Sequence, residues 1–325
     1  MQRFLSLGVL GHQRLWLSII TTFLIGQHSV GDTVYVAIDR TGWRHCNLLV
    51  VSLIWQNRAI PLCWDRLDKL GSSHYDDQTA ILLSMLGLLS DYRVVVLGDR
   101  EFCSVDLARW LGEQRAYFCL RLKVSTQIQT TDEGDWHALS TLGLTPGANV
   151  FFKHVTVTKT KGFGAGRVAG KWKRRYRGFA PDEPWFILTN LDTLQQAIGA
   201  YQKRFGIEEM FRDLKSGGYC LEDCRLEGKR FMAMVLVMAI AYTCACSQGK
   251  RLKQQALQKY IARPERAERA QKRHSAFHVG LAAHRWLPFW MSCQQYVYDL
   301  MRLNRNKIEY YLRGLKAMDA VLATL

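Results

Sequence analysis

Two aspartates at the ends of apolar, strand-like runs give the sequence its first chemical signal. Asp39 closes the run VYVAID at 34–39, and Asp99 follows the run RVVVLG at 93–98. If the two strands are neighbours in one sheet, both carboxylates meet at one edge. Carboxylate oxygens suit Mg²⁺, and two such ions can clamp the attacking and leaving oxygens of a phosphodiester. Taken singly, each aspartate could instead be a turn former or a cap.

A charged helix face supplies a third acid. Tyr201, Arg204, Glu208 and Lys215 follow one another at intervals of 3, 4 and 7 residues. At about 100° per residue of helix, all four fall within a sector of about 60°, whereas Glu209 points elsewhere. Such a face is costly to bury unless it meets an anion and a metal ion. The alternative is a solvated face with an ordinary i,i+4 ion pair between Arg204 and Glu208.

The elements that must position these acids follow from the apolar periodicity. Strand-like runs lie at 34–39, 47–56, 59–64, 93–98 and 117–124, with a hairpin turn at Asn57-Arg58. Helical stripes lie at 77–90, with Asp76 or Asp77 as N-cap, and at 104–114, opened by Ser104. The order strand, strand, strand, helix, strand, helix, strand predicts an α/β fold, a mixed sheet flanked by helices.

The second half of the chain changes character twice. Residues 125–190 carry short alternating strands, such as 151–158 and 185–189, and predict a β-rich insertion. A long helical region then runs from near residue 194 to about 215, followed by a buried helix near 231–246. Residues 250–273 are basic and helical, and the chain is again helical from about residue 293.

The charge balance points to an anionic partner. Lys and Arg number 44 against 28 Asp and Glu, which gives a formal net charge of +16. Nucleic acid is the simplest partner for such a chain, although a basic protein without this role has the same composition. The tract 159–177 contains eight Lys or Arg and no acid. The tract 250–273 contains nine Lys or Arg against Glu265 and Glu268.

The first basic tract, residues 159–177, is predicted to be a DNA-contacting loop. Gly162, Gly164, Gly166 and Gly170 are expected to keep part of it flexible. Aromatic residues among its cations suit contact with a DNA backbone. A solvated, disordered loop is the alternative. The predicted contact residues are Lys171, Trp172, Lys173, Arg174 and Arg175.

Cysteines and apolar stretches bear on the compartment. The nine cysteines are irregularly spaced, which favours buried free thiols in a reducing cytosol. The stretch 15–26 lacks the cleavage site of a signal peptide. The apolar run 232–246 has 15 residues, fewer than the roughly 20 needed to span a bilayer. We therefore expect a cytoplasmic protein with no membrane partner.

Together these residues resemble a known family. The spacing Tyr201-x2-Arg204-x3-Glu208-x6-Lys215 is similar to the YREK signature of DDE transposases from bacterial insertion sequences of the IS-four type. The surrounding sequence segments match as well: AIDRT at 37–41, LGDREF at 97–102, WFILTN at 185–190 and FRDLKSGGY at 211–219. The resemblance covers roughly residues 30–245.

The resemblance implies a ribonuclease-H-like fold, with the β-rich insertion placed before the last catalytic helix. It divides the chain into an N-terminal helical segment, short or truncated, at 1–30, a catalytic domain at 31–124 and 191–248, the insertion at 125–190, and a basic helical region at 249–325. Asp39, Asp99 and Glu208 would be the catalytic residues and the ligands of two Mg²⁺ ions, for which Mn²⁺ could substitute.

The resemblance also implies an activity and its partners. Water would hydrolyse DNA at an element end, and the freed 3′-OH would attack target DNA, within a homodimeric complex. Tyr201, Arg204 and Lys215 would contact phosphates near the cut. A tryptophan of the insertion would hold a flipped base. Trp172, in the basic tract, suits this role better than Trp185, which begins an apolar strand.

One departure from the family pattern keeps two alternatives open. Only 38 residues precede Asp39, where relatives carry a DNA-binding region of about a hundred residues. This departure favours a truncated chain that lacks recognition of the element ends. The alternatives are therefore a catalytically idle DNA-binding remnant and a ribonuclease-H-like nuclease that releases its product without joining it.

Overall fold

Two compact units divide the chain in the computed structural model. One contains residues 13–211 and the other contains Arg212–Leu325, so the boundary falls within a helix. The described residues are 12–43, 46–130, 134–174, 182–262, 274–302, 304 and 306–324.

The first unit is a sheet with helices, and its elements follow one another in the order predicted from the sequence. The strands are β1 Thr33–Trp43, β2 Cys46–Trp55, β3 Arg58–Arg66, β4 Arg93–Gly98, β5 Tyr117–Arg121, β6 Gln127–Gln129, β7 His137–Ala138, β8 Asn149–Val157, β9 Phe163–Lys171 and β10 Trp185–Thr189. The helices are α1 His12–Ile25, α2 Tyr75–Leu88, α3 Val105–Glu113, α4 Leu194–Lys203 and α5 Phe205–Lys215.

All ten strands belong to one mixed sheet, which confirms the predicted α/β architecture. The strand order is β3-β2-β1-β4-β5-β10-β9-β8-β6-β7. Strand β4 pairs in parallel with β1 and with β5, and the other pairs are antiparallel. The strands of the predicted insertion therefore continue the sheet through the pairing of β10 with β5.

The hairpin between β2 and β3 turns one residue earlier than predicted. The turn residues are Gln56 and Asn57, and Arg58 already pairs with Trp55. Gln56 has φ 58°, in the left-handed region that a tight hairpin requires. The prediction of Asn57-Arg58 was wrong by one residue, because the left-handed position is taken by Gln56, a residue type less usual there than asparagine.

The caps of the two helices behind the site were predicted with unequal success. Ser104 caps α3 and accepts a hydrogen bond from the Leu107 N–H at 3.2 Å, as predicted. Helix α2 begins earlier than predicted, with His74 at the N-cap position. Asp77 lies inside the first turn and its carboxylate accepts a hydrogen bond from the His74 N–H at 2.8 Å, so neither Asp76 nor Asp77 is the N-cap.

The first basic tract contains a strand, which corrects the prediction of a flexible loop. Gly166 and Gly170 lie buried within β9. A Cβ on Gly170 would stand 2.5 Å from Val150 Cγ2 and 3.1 Å from Phe186 Cε1. The absence of a side chain at Gly170 therefore serves close packing, a known use of glycine in strands.

The apolar stretch near the N-terminus forms helix α1, which packs on β2 and β3. Trp16, Ile20 and Leu24 are buried. The Trp16 Nε1–H donates to the Leu62 carbonyl at 2.9 Å, and the Trp16 and Trp64 rings lie 5.7 Å apart. These three buried residues thus cover the sheet, whereas Leu15, Leu17, Ile19 and Ile25 are exposed.

The long helix predicted from residue 194 to 215 is two helices that meet at Arg204. The Arg204 N–H bonds the Tyr201 carbonyl at 3.0 Å, and the Ile207 N–H bonds the Arg204 carbonyl at 3.0 Å, which are tight i→i+3 turns. Arg204 keeps helical dihedral angles, with φ −52° and ψ −34°. Tyr201 therefore lies on the first of these helices, Glu208 lies on the second, and Arg204 lies at their junction.

The second unit is helical. Its helices are α6 Gly228–Gln254, α7 Gln258–Ile261, α8 Ala276–Arg302 and α9 Ile308–Leu322, and residues 263–273 of the second basic tract lie outside the described part. A Cβ on Gly280 would stand 1.9 Å from the Ala245 carbonyl oxygen, so α6 and α8 approach with their backbones nearly touching. Helix α6 contains the apolar run predicted as a buried helix, and much of it is buried.

By length and composition, α6 is also the one described helix that could cross a membrane, and 61% of its apolar window is buried. This is weak evidence for a span, because a core helix of a soluble protein passes the same test.

The cysteines are all free thiols, as predicted. Only Cys119 and Cys246 are buried, and Cys220 and Cys244 are exposed. The prediction that all of them are buried was therefore wrong for most positions.

Candidate active site

The register of two parallel strands brings Asp39 and Asp99 side by side. Strands β1 and β4 pair from Thr33 with Arg93 to Ile38 with Gly98. The two aspartates are the next residue on each strand. Strand β1 continues to Trp43 along β2, so Asp39 lies just past the pairing with β4. The prediction that Asp39 ends its strand was therefore wrong. The convergence of the two carboxyl groups nevertheless follows from the sheet, as expected.

A tight turn after β4 fixes Asp99. Residues Arg100–Phe102 form a single 3₁₀ turn, and the Glu101 N–H donates to Asp99 Oδ1 at 2.8 Å. The turn folds Phe102 back under the strand, where a Cβ on Gly98 would stand 2.8 Å from Phe102 Cβ. Asp99 is thus a cap, the alternative weighed from the sequence, and also a carboxylate at the sheet edge.

Arg204 joins the first aspartate to the third predicted acid. Its Nη1 lies 3.3 Å from Asp39 Oδ2, and its Nη2 forms an ion pair with Glu208 Oε1. The Arg204 side chain is only 6% exposed, whereas that of Glu208 is 47% exposed. Glu209 points elsewhere, as predicted, and pairs with Arg58 of β3 at 2.9 Å. The i,i+4 ion pair between Arg204 and Glu208, predicted as the alternative, is therefore present. Arg204 also contacts Asp39.

Burial and the neighbouring charges shift the pKa of the Asp39 carboxyl group. Burial is the main cause that raises the pKa of Asp39 to about 7, and the neighbouring charges of Asp99 and Glu208 contribute in the same direction. The Arg204 guanidinium and the Arg40 N–H, which bonds Asp39 Oδ1 at 2.7 Å, act in the opposite direction. Both other predicted acids thus act electrostatically on Asp39.

Tyr201 lies in an aromatic wall beside Arg204. The Trp185 ring centroid stands 5.3 Å from that of Tyr201 and 5.8 Å from that of Phe205. Burial is the main cause that raises the pKa of Tyr201. Trp185 is buried, as expected of a core residue. Lys173 of the basic tract lies over the Trp185 ring, with Nζ 4.5 Å from its centroid, so the structure brings this predicted DNA contact to the wall.

Two buried polar atoms in this wall stand out. Within the described part of the chain, Tyr201 Oη and Arg204 Nε have no hydrogen-bond partner. Buried polar groups in proteins are nearly always hydrogen-bonded. An anion or a water molecule could satisfy both atoms; the phosphate contacts predicted for these residues stay a prediction.

The other predicted DNA contacts are dispersed. Lys171 ends β9, paired with Asn149 and with Trp185. Trp172 is half-buried and its backbone bonds Gly147 and Ala148. Arg174 is exposed and Arg175 lies outside the described residues. Lys215 belongs to the other compact unit, where its Nζ stands 3.3 Å from Glu222 Oε1.

Sequence reasoning missed five charged residues around the aspartates. Arg121 follows Leu120, the β5 partner of Gly98, so it is the next residue after the β4–β5 pairing, as Asp99 is on β4. Glu183 Oε1 bridges Arg121 Nη2 at 2.8 Å and Arg100 Nη2 at 2.6 Å. Arg40 and Glu101 form a second ion pair at 3.0 Å. The words AIDRT and LGDREF contain three of these residues, but only their aspartates were considered.

The chemistry of the three predicted acids fits a divalent cation, and Arg204 pairs with two of them. Three carboxylates are hard oxygen ligands of the type that Mg²⁺ and Mn²⁺ take. Among the described residues, no group of three or more His, Cys, Asp and Glu side chains stands close enough to hold a metal ion. The positive charge between Asp39 and Glu208 is the Arg204 guanidinium.

Comparison with known sequences identifies the family. Residues 32–244 match the family described as the transposase DDE domain. This chain belongs to that family. The match covers the two aspartates and the helix that bears Glu208, and it confirms the predicted membership of the DDE transposase family, whose DDE domains generally use divalent metal ions.

A solved structure is also similar. It is described as a cryo-EM structure of the piggyBac transposase synaptic complex with hairpin DNA. The alignment covers 95% of this DDE transposase and 61% of that chain, at 11% sequence identity and a TM-score of 0.44. A search of curated proteins finds no match.

Proposed function

We propose that Asp39, Asp99 and Glu208 are the catalytic carboxylates of this transposase and hold two Mg²⁺ ions, with Mn²⁺ as a substitute. The observation that carries the proposal is the β1–β4 register, which aligns the two aspartates at one edge while Arg204 links Asp39 to Glu208. When bound, the ions would activate a water molecule and stabilise charge on the oxygens of a phosphodiester.

The reaction proposed for this site has two steps. In the first, a water oxygen bonds to a phosphorus atom at the element end, the P–O3′ bond breaks, and the leaving 3′ oxygen takes a proton. In the second, that 3′-OH bonds to a phosphorus atom of target DNA, and the displaced 3′ oxygen takes the proton. Both steps exchange one P–O bond for another, so neither needs an oxidant or a reductant.

The protein's own groups would orient the DNA. Arg204 has a planar guanidinium that can bind phosphate in a bidentate manner. Its Nε and the Tyr201 hydroxyl are buried without partners in the described residues, so both can donate to phosphate oxygens. Glu208 is half exposed and can exchange Arg204 for a cation. Lys215 and the basic-tract residues Lys171, Trp172, Lys173, Arg174 and Arg175 complete the proposed DNA contacts.

The finer family assignment is part of the same proposal. We assign the chain to the IS-four type through its YREK signature. The order β3-β2-β1-β4-β5, with β4 parallel to β1 and β5, supports a ribonuclease-H-like catalytic domain at 31–124 and 191–248. Residues 125–190 would be the insertion, 1–30 the N-terminal segment and 249–325 the C-terminal region. A homodimer on DNA and a cytoplasmic location complete the assignment.

A plasmid assay tests the catalytic proposal. Purified protein is incubated with supercoiled plasmid and Mn²⁺ or Mg²⁺, and nicked circles are measured. We expect nicking that EDTA abolishes and that Asp39→Ala, Asp99→Ala and Glu208→Ala each abolish. Asp192→Asn is the matched control, because it removes a carboxylate whose side chain is 72% exposed and pairs with Arg167 on β9. Plasmid binding without nicking by the wild type would instead identify a DNA-binding remnant.

A joining assay separates transposase from nuclease. A labelled duplex with a free 3′-OH is mixed with unlabelled plasmid and the same metal ions. Transfer of label to the plasmid supports strand transfer. Nicking without transfer of label would identify a nuclease on the same site.

A further inference from the structure

An ion pair behind the two aspartates joins the residues that follow them. Arg40 comes directly after Asp39, and Glu101 comes two residues after Asp99. The Arg40 Nε–H donates to both carboxylate oxygens of Glu101, at 3.1 Å and 3.0 Å. The two side chains are 25% and 15% exposed, so water screens the pair only partly.

The same two residues hold the aspartate carboxylates through their backbones. The Arg40 N–H donates to Asp39 Oδ1 at 2.7 Å, and the Glu101 N–H donates to Asp99 Oδ1 at 2.8 Å. Each aspartate thus accepts a hydrogen bond from the backbone N–H of Arg40 or Glu101, and the side chains of Arg40 and Glu101 are paired with each other. Because side chains alternate along a strand, Arg40 leaves β1 on the face opposite Asp39. The pair therefore leaves the front of the site open.

Buried polar groups fix this ion pair in turn. Glu101 Oε1 also accepts hydrogen bonds from the Ser73 N–H at 2.9 Å and the Ser73 hydroxyl at 2.8 Å. Arg40 Nη1 donates to Asn47 Oδ1 at 3.0 Å. The Asn47 amide donates to the carbonyl oxygens of Lys69 and Gly71 at 2.6 Å and 3.0 Å. Four segments of chain meet at one pair of charges.

We propose that Arg40 and Glu101 are positioning residues that set the separation of the Asp39 and Asp99 carboxylates before a metal ion arrives. The inference rests on the proposed function of those carboxylates. A merely structural pair would hold the loop that contains Ser73 and leave the site's affinity for metal unchanged. Partners of metal ligands in other proteins change metal affinity by about 10- to 100-fold when they are altered.

Two variants test the proposal. Arg40→Lys keeps the charge and removes the planar fork, and Glu101→Gln keeps the size and removes the charge. Mn²⁺ affinity is measured on DNA-free protein from the electron paramagnetic resonance signal of free Mn²⁺, and thermal unfolding is recorded on the same samples. We expect each variant to bind Mn²⁺ about ten-fold more weakly per folded molecule, with binding to supercoiled plasmid within two-fold of wild type. Asp192→Asn is the control and should bind Mn²⁺ as the wild type does.

The double variant Arg40→Lys/Glu101→Gln shows whether the two residues affect Mn²⁺ binding through their shared ion pair or independently of each other. We expect it to bind Mn²⁺ about as weakly as the weaker single variant, because the two residues act through one contact. Losses that multiply, or folded variants with wild-type Mn²⁺ affinity and a lowered melting temperature, would overturn the inference. Wild-type and Asp99→Ala proteins that are equally inactive and bind Mn²⁺ equally would contradict the proposed function itself.

Discussion

The two halves of the candidate site are held in different ways. The strand half, Asp39 and Asp99, is fixed by the β1–β4 register and by the backbone hydrogen bonds of Arg40 and Glu101. The helix half, Arg204 and Glu208, stands at a break between two helices, and its carboxylate is half exposed. The difference indicates that the strand carboxylates are positioned by the fold, whereas Glu208 retains freedom to exchange partners.

The largest effect on stability is expected from the strand half, through Asp39→Asn in metal-free buffer. The Asp39 carboxyl has a pKa of about 7 in the fold, against an ordinary value of 3.8. Between those values the unfolded chain loses a proton that the folded chain keeps, so wild-type stability falls as pH rises from about 4 to about 7. At about 1.36 kcal/mol per pKa unit, the loss reaches at most about 4 kcal/mol above pH 7.

Asparagine at position 39 has no such titration. We expect the variant to be more stable than wild type at pH 8 and to lose that advantage at pH 4, as measured by urea unfolding in EDTA. The Asp192→Asn control should follow the wild-type pH dependence. Parallel pH dependences for wild type and Asp39→Asn would contradict the account of a buried, crowded carboxyl.

The next largest effect is expected from Gly98→Ala, which pushes on the turn that carries Asp99. The added methyl would stand 2.8 Å from Phe102 Cβ and 3.0 Å from Leu120 Cδ2. Overpacking of this kind costs about 1–3 kcal/mol. We expect a lower midpoint of urea unfolding and weaker Mn²⁺ binding. Unchanged Mn²⁺ affinity in the folded variant would mean that the turn does not set the position of Asp99.

The same substitution in the helix half, Gly206→Ala, should cost less. Its methyl would stand 3.0 Å from the Arg58 carbonyl group, where α5 packs on β3. Alanine is favoured over glycine in a helix by about 1 kcal/mol, which offsets the crowding. We expect a stability within about 1 kcal/mol of wild type, together with slower plasmid nicking and unchanged Mn²⁺ binding. A loss as large as that of Gly98→Ala would remove the contrast between the two halves.

The sequence alone was sufficient for the parts of the site that depend on periodicity. The strand runs predicted the mixed sheet, and angular spacing on a helix separated Glu208 from Glu209, which points to Arg58. It was insufficient where backbone hydrogen bonding or tertiary contacts decide. The break at Arg204 depends on local hydrogen bonds that residue spacing does not report. The glycines of the basic tract were taken as flexible because nothing local reveals that Val150 and Phe186 close on Gly170.

The Arg40–Glu101 pair escaped sequence reasoning for a related reason. The two residues are 61 positions apart and lie on separate elements. Arg40 also alternates with Asp39 along β1, so the strand pattern assigns it to the opposite face. Residues that position metal ligands without binding the metal ion themselves have no spacing that links them to the ligands in the sequence.

The smallest effect on stability is expected from Glu208→Gln. Its half-exposed i,i+4 pair with Arg204 contributes about 0.3–0.5 kcal/mol, so urea unfolding should scarcely change, whereas plasmid nicking should be lost. Glu209→Gln is the matched control one residue away, because its carboxylate pairs with Arg58 and should not be needed for nicking. Nicking that survives Glu208→Gln but not Glu209→Gln would assign the third carboxylate to the wrong face of α5. Full nicking by both variants would remove the helix from the site and leave the strand aspartates as its only acids.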